Sequence, residues 1–148
     1  MIWLLLLNTV FSSMMSGIIW FVQIVHYPLF KSLSKEDFID YQSKHVKLTG
    51  NIVGPFMLME LIVSIYVALW NTHNELAYLV WSNFGLLTLI WLSTFFLQVP
   101  LHNRLLEGFD HSVHVSLVRG NWIRTCAWTM KMVLSLFLAK RYHDFYGF

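Results

Sequence analysis

Four long apolar runs constrain this chain more than any other feature. They cover roughly residues 2–25, 52–70, 77–98 and 122–139, each close to the ~20 residues that a hydrocarbon core ~30 Å thick demands of a spanning helix. Four such runs in 148 residues leave room for a single domain, 1–148, and no separate soluble one. The expected fold is all-α: a four-helix transmembrane bundle with a short interfacial helix before the second spanning helix. The 57% hydrophobic and 12% charged content agrees, and makes the lipid bilayer the first expected partner. A net charge of +2 with no basic run longer than two residues gives no reason to expect a nucleic-acid partner, and none is expected. The single cysteine, Cys126, cannot form an intrachain disulfide, and its apolar run predicts a buried, inert thiol. The N-terminal run lacks a positive n-region and an A-x-A site and continues to Ile24, so it reads as a retained helix.

Threading the runs as successive hairpins sorts the polar residues by side. The ends of runs one and three and the starts of runs two and four share a face. That face collects Gln23, His26, His45, Gln98, His102, Asn103, His111, His114, Arg119, Asn121 and Arg124. The other has little beyond His73, Glu75, Lys140, Arg141, His143 and Asp144. Lysines 31, 35, 44 and 47 and arginines 104, 119 and 124 fall on the histidine side. The positive-inside rule makes that side cytoplasmic and puts both termini outside, as in a bacterial inner-membrane protein. Trp3, Trp70 and Trp122 near run ends fit interfacial belts.

Local signals predict where helices begin and end. Proline in His26-Tyr27-Pro28 discourages helix before it and should end the first helix there. Ser34-Lys35-Glu36-Asp37 reads as a relaxed capping box that opens the short interfacial helix through Asp40, Tyr41 and His45. Gly50, Gly54 and Pro55 should interrupt the passage into the second span and kink it. Asn71-Thr72-His73-Asn74 makes a turn, Pro100 loosens the end of the third helix, and Glu107 to Ser116 reads as a polar loop that leaves His111 and His114 in solvent. No repeat or low-complexity tract is visible.

Three helices carry polar or amphipathic stripes at helical spacing: Ser16, Trp20, Gln23 and His26; Asn83, Trp91, Thr94, Gln98 and His102; Asn121, Arg124, Trp128 and Lys131. Such residues share a face that turns away from lipid, either to bond helices together or to line a site. Glu60 and Lys131 lie at equal depth, each about nine residues from the histidine side, or ~13 Å at ~1.5 Å per residue. They are expected to pair, as a packing clamp or as a proton acceptor on a cavity floor. His26, His45 and His102 end or begin three adjoining helices, so they are expected to face one cavity. They would ligate iron, copper or zinc, or act as acid–base groups. Glu60 joins them as a candidate catalytic group, and Gln23, Gln98, Asn103, Trp122 and Arg124 as substrate-binding residues.

Val99-Pro100-Leu101-His102-Asn103-Arg104-Leu105 and Gly120-Asn121-Trp122-Ile123-Arg124-Thr125, followed by Ala127-Trp128-Thr129, resemble motifs of a family of small four-helix membrane proteins related to the anthrone oxygenases. The resemblance implies an oxygenase-like activity on an aromatic, quinone-like substrate. It carries over Asn103, Trp122 and Arg124 as motif residues and no catalytic roles. The leading expectation is a membrane oxidoreductase acting on an apolar small molecule in a cytoplasmic-side cavity. The alternatives are a non-catalytic accessory subunit that binds pigment, quinone or partner helices, and a small transporter with Glu60 and Lys131 on its pathway. A homo-oligomer or a larger membrane complex is a further expected form of association.

Overall fold

The computed structural model describes residues 1–70 and 75–146. Within them the chain forms four helical rods and no strand: α1 (Ile2–Ser32), α2 (Lys35–Trp70), α3 (Ala77–Leu105) and α4 (His111–Tyr146). The turn expected at Asn71-Thr72-His73-Asn74 lies outside the described residues. α1, α2 and α3 are long and apolar enough to cross a membrane, consistent with an integral membrane protein. The apolar content of α4 is diluted by Arg119, Arg124, Lys131, Lys140 and Arg141. Two of those charges, Arg124 and Lys131, turn inward.

The bundle is polar within and apolar without. Trp3, Phe21, Leu69, Trp70 and Phe96 face outward, whereas Asn8, Ser12, Glu60, Asn83, Asn121 and Lys131 are fully buried. Cys126 also faces outward, which corrects the expectation of a buried thiol. α1 packs most extensively on α4, α3 also packs on α4, and α2 packs mainly on α1. Of the helix pairs that lie side by side, α2 and α3 touch least, which leaves a seam beside the histidines.

Helix ends depart from the sequence expectations for identifiable reasons. α1 does not stop at His26. A π turn at Val22–His26, closed by the Tyr27 amide on the Val22 carbonyl, carries it to Ser32. Pro28 has no N–H to offer an upstream carbonyl, and the wider i→i+5 turn absorbs the lost donor. α3 repeats the device. Its π turn at Thr94–Gln98 closes with the Val99 amide on the Thr94 carbonyl, and Pro100 again stands second past the turn.

The interfacial helix is not a separate element. α2 runs unbroken from Lys35 through Gly50, Gly54 and Pro55 to Trp70. Propagation costs less than a second nucleation, and a break at membrane depth would strand backbone polar groups. The Ser34 cap is formed as expected, its hydroxyl accepting from the Asp37 amide at 3.1 Å.

α4 begins at His111, eleven residues before its apolar run. Gly108 turns the chain at φ +138°, and Asp110 then caps the helix by accepting from the Ser112 and Val113 amides at 2.7 and 3.1 Å. The Ser112 hydroxyl, followed by those amides, holds the Asp110 carboxyl below its usual range. His111 remains exposed, but His114 is buried in the first turn, against expectation. Its Nε2 lies 2.8 Å from the Tyr27 carbonyl, and burial holds the imidazole below its ordinary value.

Candidate ligand-binding cavity

Two buried polar clusters occupy the bundle at different heights. The first surrounds Glu60 and Lys131, whose Nζ and Oε1 are 3.0 Å apart with both side chains wholly buried. Ser12 donates to Glu60 Oε1 at 2.9 Å, and Trp128 Nε1 to Glu60 Oε2 at 3.0 Å. Lys131 also donates to Asn8 Oδ1 at 3.0 Å and Ser12 Oγ at 2.8 Å. Asn8 is bonded in turn to Ser64, Asn83 and Ser135. Residues from all four helices take part, and every charge is met. Glu60 is not among the residues that line the cavity at the histidine end, and both its oxygens are taken up within this network.

The second cluster stands at the histidine end, and here the bundle is open. A cavity of about 330 Å³ lies between α1, α2 and α3, with Arg124 of α4 at its back. Most of its wall is apolar, including Met15, Ile19, Val53, Met57, Trp91 and Phe95. Gly50 and Gly54 leave room on the α2 side, since a Cβ at either would meet nothing within 4 Å. The polar end comprises Tyr27, His45, Gln98, His102, Asn103 and Arg124. A smaller groove between α1 and α2 shares Ile18, Val22, Thr49 and Val53 with the main cavity and adds His26.

The three histidines converge as the helix ends suggested. His26 Nε2 and His45 Nδ1 are 2.8 Å apart, and the His45 and His102 ring centres 5.3 Å. Four of their six nitrogens, however, are engaged in hydrogen bonds. Gln42 Nε2 donates to both His102 Nδ1 (3.0 Å) and the His102 carbonyl (3.3 Å). The carbonyl fixes the amide nitrogen as a donor, so His102 Nδ1 accepts and its proton resides on Nε2, 2.9 Å from the Tyr27 hydroxyl. Among the described residues, no three His, Cys, Asp or Glu side chains are disposed to hold a metal ion. The cluster therefore lends no support to the expected iron, copper or zinc centre: the His102 lone pair is taken by Gln42, its N–H faces Tyr27, and His26 and His45 face each other. Its imidazoles remain suited to acid–base work.

The other expected site residues divide. Gln98, Asn103 and Arg124 line the cavity. Gln23 does not. It accepts from Asn121 at 2.8 Å and donates to the Val118 carbonyl at 3.2 Å, tying α1 to α4. Trp122 faces outward and packs edge-on against Trp20, 5.6 Å between ring centres, so it is not part of the pocket. Sequence reasoning passed over Tyr27 and Gln42, both buried. Gln42, His45 and Thr49 share one face of α2 at i, i+3 and i+7, a stripe that was available to find. Tyr27 had no comparable signal, because the π turn sets its direction.

Polar atoms without partners concentrate here. Arg124 Nε, Gln98 Nε2, Trp91 Nε1 and Gln42 Oε1 are buried and unmatched. Three of these four residues are cavity-wall donors. The Tyr27 hydroxyl reaches Gln98 Oε1 only at 3.5 Å, long for such a bond.

Comparison with protein-family models, curated proteins and solved structures finds no match for this chain.

Proposed function

We propose that the chain is a membrane-embedded, oxygenase-like oxidoreductase whose cavity takes an apolar aromatic or quinone-like substrate. One observation carries the reading: an apolar cavity whose polar end combines acid–base side chains with donors that lack acceptors. An apolar ring system suits the walls. A carbonyl or phenolic oxygen suits Arg124, Gln98 and Tyr27, because an unmatched buried donor is costly and an incoming acceptor relieves it. The residue resemblance to anthrone oxygenases points the same way.

The matching reaction class converts a ring methylene beside such an oxygen to a carbonyl. His45 takes a proton from the methylene, and the negative charge spreads to the substrate oxygen facing Arg124 and Tyr27. Dioxygen is the oxidant and accepts four electrons in total. One oxygen atom enters the product carbonyl and the other leaves as water, with the two methylene hydrogens. The seam by α2 gives an apolar substrate a route from lipid. In this reading the histidine end faces the cytoplasm, both termini lie outside, and the membrane is a bacterial inner membrane.

Oxygen uptake by the purified protein with an anthrone tests the proposal. One dioxygen consumed per ketone formed is expected, with strong loss in His45→Gln and Tyr27→Phe. Ligand binding without uptake would sink the oxidoreductase and favour the accessory-subunit reading. The transporter reading draws no support from Glu60 and Lys131, whose polar atoms are committed within the closed network.

A further inference from the structure

Arg124 is a buried cation to which the described residues offer no counter-ion. The residue is 7% exposed, Nη1 donates to Asn121 Oδ1 at a long 3.3 Å, and the guanidinium carbon lies 5.2 Å from the Trp128 ring centre. Nε has no acceptor. Among the described residues no carboxylate lies within ion-pair distance, and the buried acid Glu60 is held by Lys131. Arginine stays protonated at any working pH, and an isolated charge is strongly disfavoured in a low-dielectric interior. Lys131, on the same helix, shows how this fold treats a buried cation that it means to neutralise. Arg124 differs in one respect: it forms part of a cavity wall.

We infer that the cavity binds its ligand as an anion, an oxygen acid in its conjugate-base form on an apolar ring body, with Arg124 as counter-ion. The inference rests on reading the cavity as a ligand site, and it deepens that reading by fixing the ligand's charge. A carboxylate and a phenolate share the needed chemistry, an oxyanion able to take two guanidinium N–H bonds or one of them together with Tyr27. The other groups at this end, Tyr27 from α1, His45 from α2 and Gln98 and His102 from α3, contribute no fixed negative charge in their ordinary states. Ring bodies fit between Met15, Met57, Trp91 and Phe95.

The test measures binding of 2-naphthoate, 2-naphthol and their neutral partners, methyl 2-naphthoate and 2-methoxynaphthalene. It uses full-length protein in micelles, with partition into empty micelles subtracted. The ground-state absorption of bound naphthol reports whether the bound form is the phenolate, which separates the two ligand sources. The anion is expected to bind about tenfold or more tighter than its ester, as a charge-assisted hydrogen bond implies. Arg124→Gln should erase that preference by weakening the anion far more than the ester, and Arg124→Lys should keep part of it. Equal affinity for anion and ester in the unmodified protein overturns the inference, as does a preference that survives Arg124→Gln. A tyrosinate absorption band in the ligand-free protein that disappears in Tyr27→Phe also overturns it, because Tyr27 would then be the counter-ion. Should Arg124→Gln fail to fold, the anion–ester comparison in the unmodified protein still decides. Anion preference without oxygen uptake sinks the oxygenase reading alone, whereas uptake without anion preference sinks only this inference.

Discussion

The Glu60–Lys131 cluster and the histidine–Arg124 cluster use similar materials to opposite ends. Each buries a cation and several amides and hydroxyls among apolar side chains. Around Lys131 every charge has its partner, so the cluster joins four helices in one register. Around Arg124 donors are left over and there is space beside them. Polar groups whose needs are met internally belong to the fold, and groups left unmet beside a cavity point to a ligand. The contrast separates two roles that charge and burial alone would have merged.

The largest effect should come from breaking the closed cluster. Lys131→Met leaves Glu60 charged and without its counter-ion, which typically costs ~3–5 kcal/mol. The Glu60→Gln/Lys131→Met double variant should recover much of that, measured by denaturant titration in micelles. A double variant no more stable than the single one would mean that the two residues are not coupled. Trp128→Phe, which removes the donor to Glu60 Oε2, should cost about 1–3 kcal/mol in the same assay.

The open cluster should respond the other way. Arg124→Gln is expected to change stability by about 1 kcal/mol or less, since no internal ion pair is lost, while oxygen uptake disappears. A stability loss as large as that of Lys131→Met would erase the distinction between the clusters. Gly54→Ala should stabilise by about 0.5–1 kcal/mol, because a helical glycine gains a Cβ that meets nothing. Gly54→Phe should instead block ligand binding.

The smallest effect concerns pH. His114 is neutral when folded, with its pKa lowered from an ordinary 6.5. Its contribution is therefore complete above about pH 6.5 and declines as pH falls from there toward the folded value, where the unfolded chain binds the extra proton. The slope of stability against pH in that window should flatten in His114→Gln, and an unchanged slope would remove His114 from the account.

Much of the plan was legible in the sequence because apolar runs and helical spacing survive without tertiary knowledge. The four rods, the convergence of His26, His45 and His102, and the shared depth of Glu60 and Lys131 all follow from counting residues along helices. The errors arise where one residue changes the count or a cap extends a helix. Asp110 begins α4 early enough to bury His114, which a reading based on polarity left in solvent. Trp122 shares a motif with Arg124 but lies two residues away, on a different side of the helix. The metal reading gains no support here, because sequence gives the imidazoles' positions but not the orientation of Gln42, which sets the protonated nitrogen of His102.

The two π turns act as phase shifters. Each inserts one residue into a helix, and one residue of α-helix is about 100° of rotation. Everything past Val22–His26 in α1 and past Thr94–Gln98 in α3 is therefore re-aimed relative to the half before it. The upper halves keep Asn8, Ser12 and Asn83 locked on the closed cluster, while the lower halves present Tyr27 and His102 to the cavity. A single deletion within either turn would swing the ligand end out of alignment and leave the other end in place. A relative of this chain compared with it residue for residue would need a one-position gap at these turns, or its binding residues would be assigned to the wrong side of the helix.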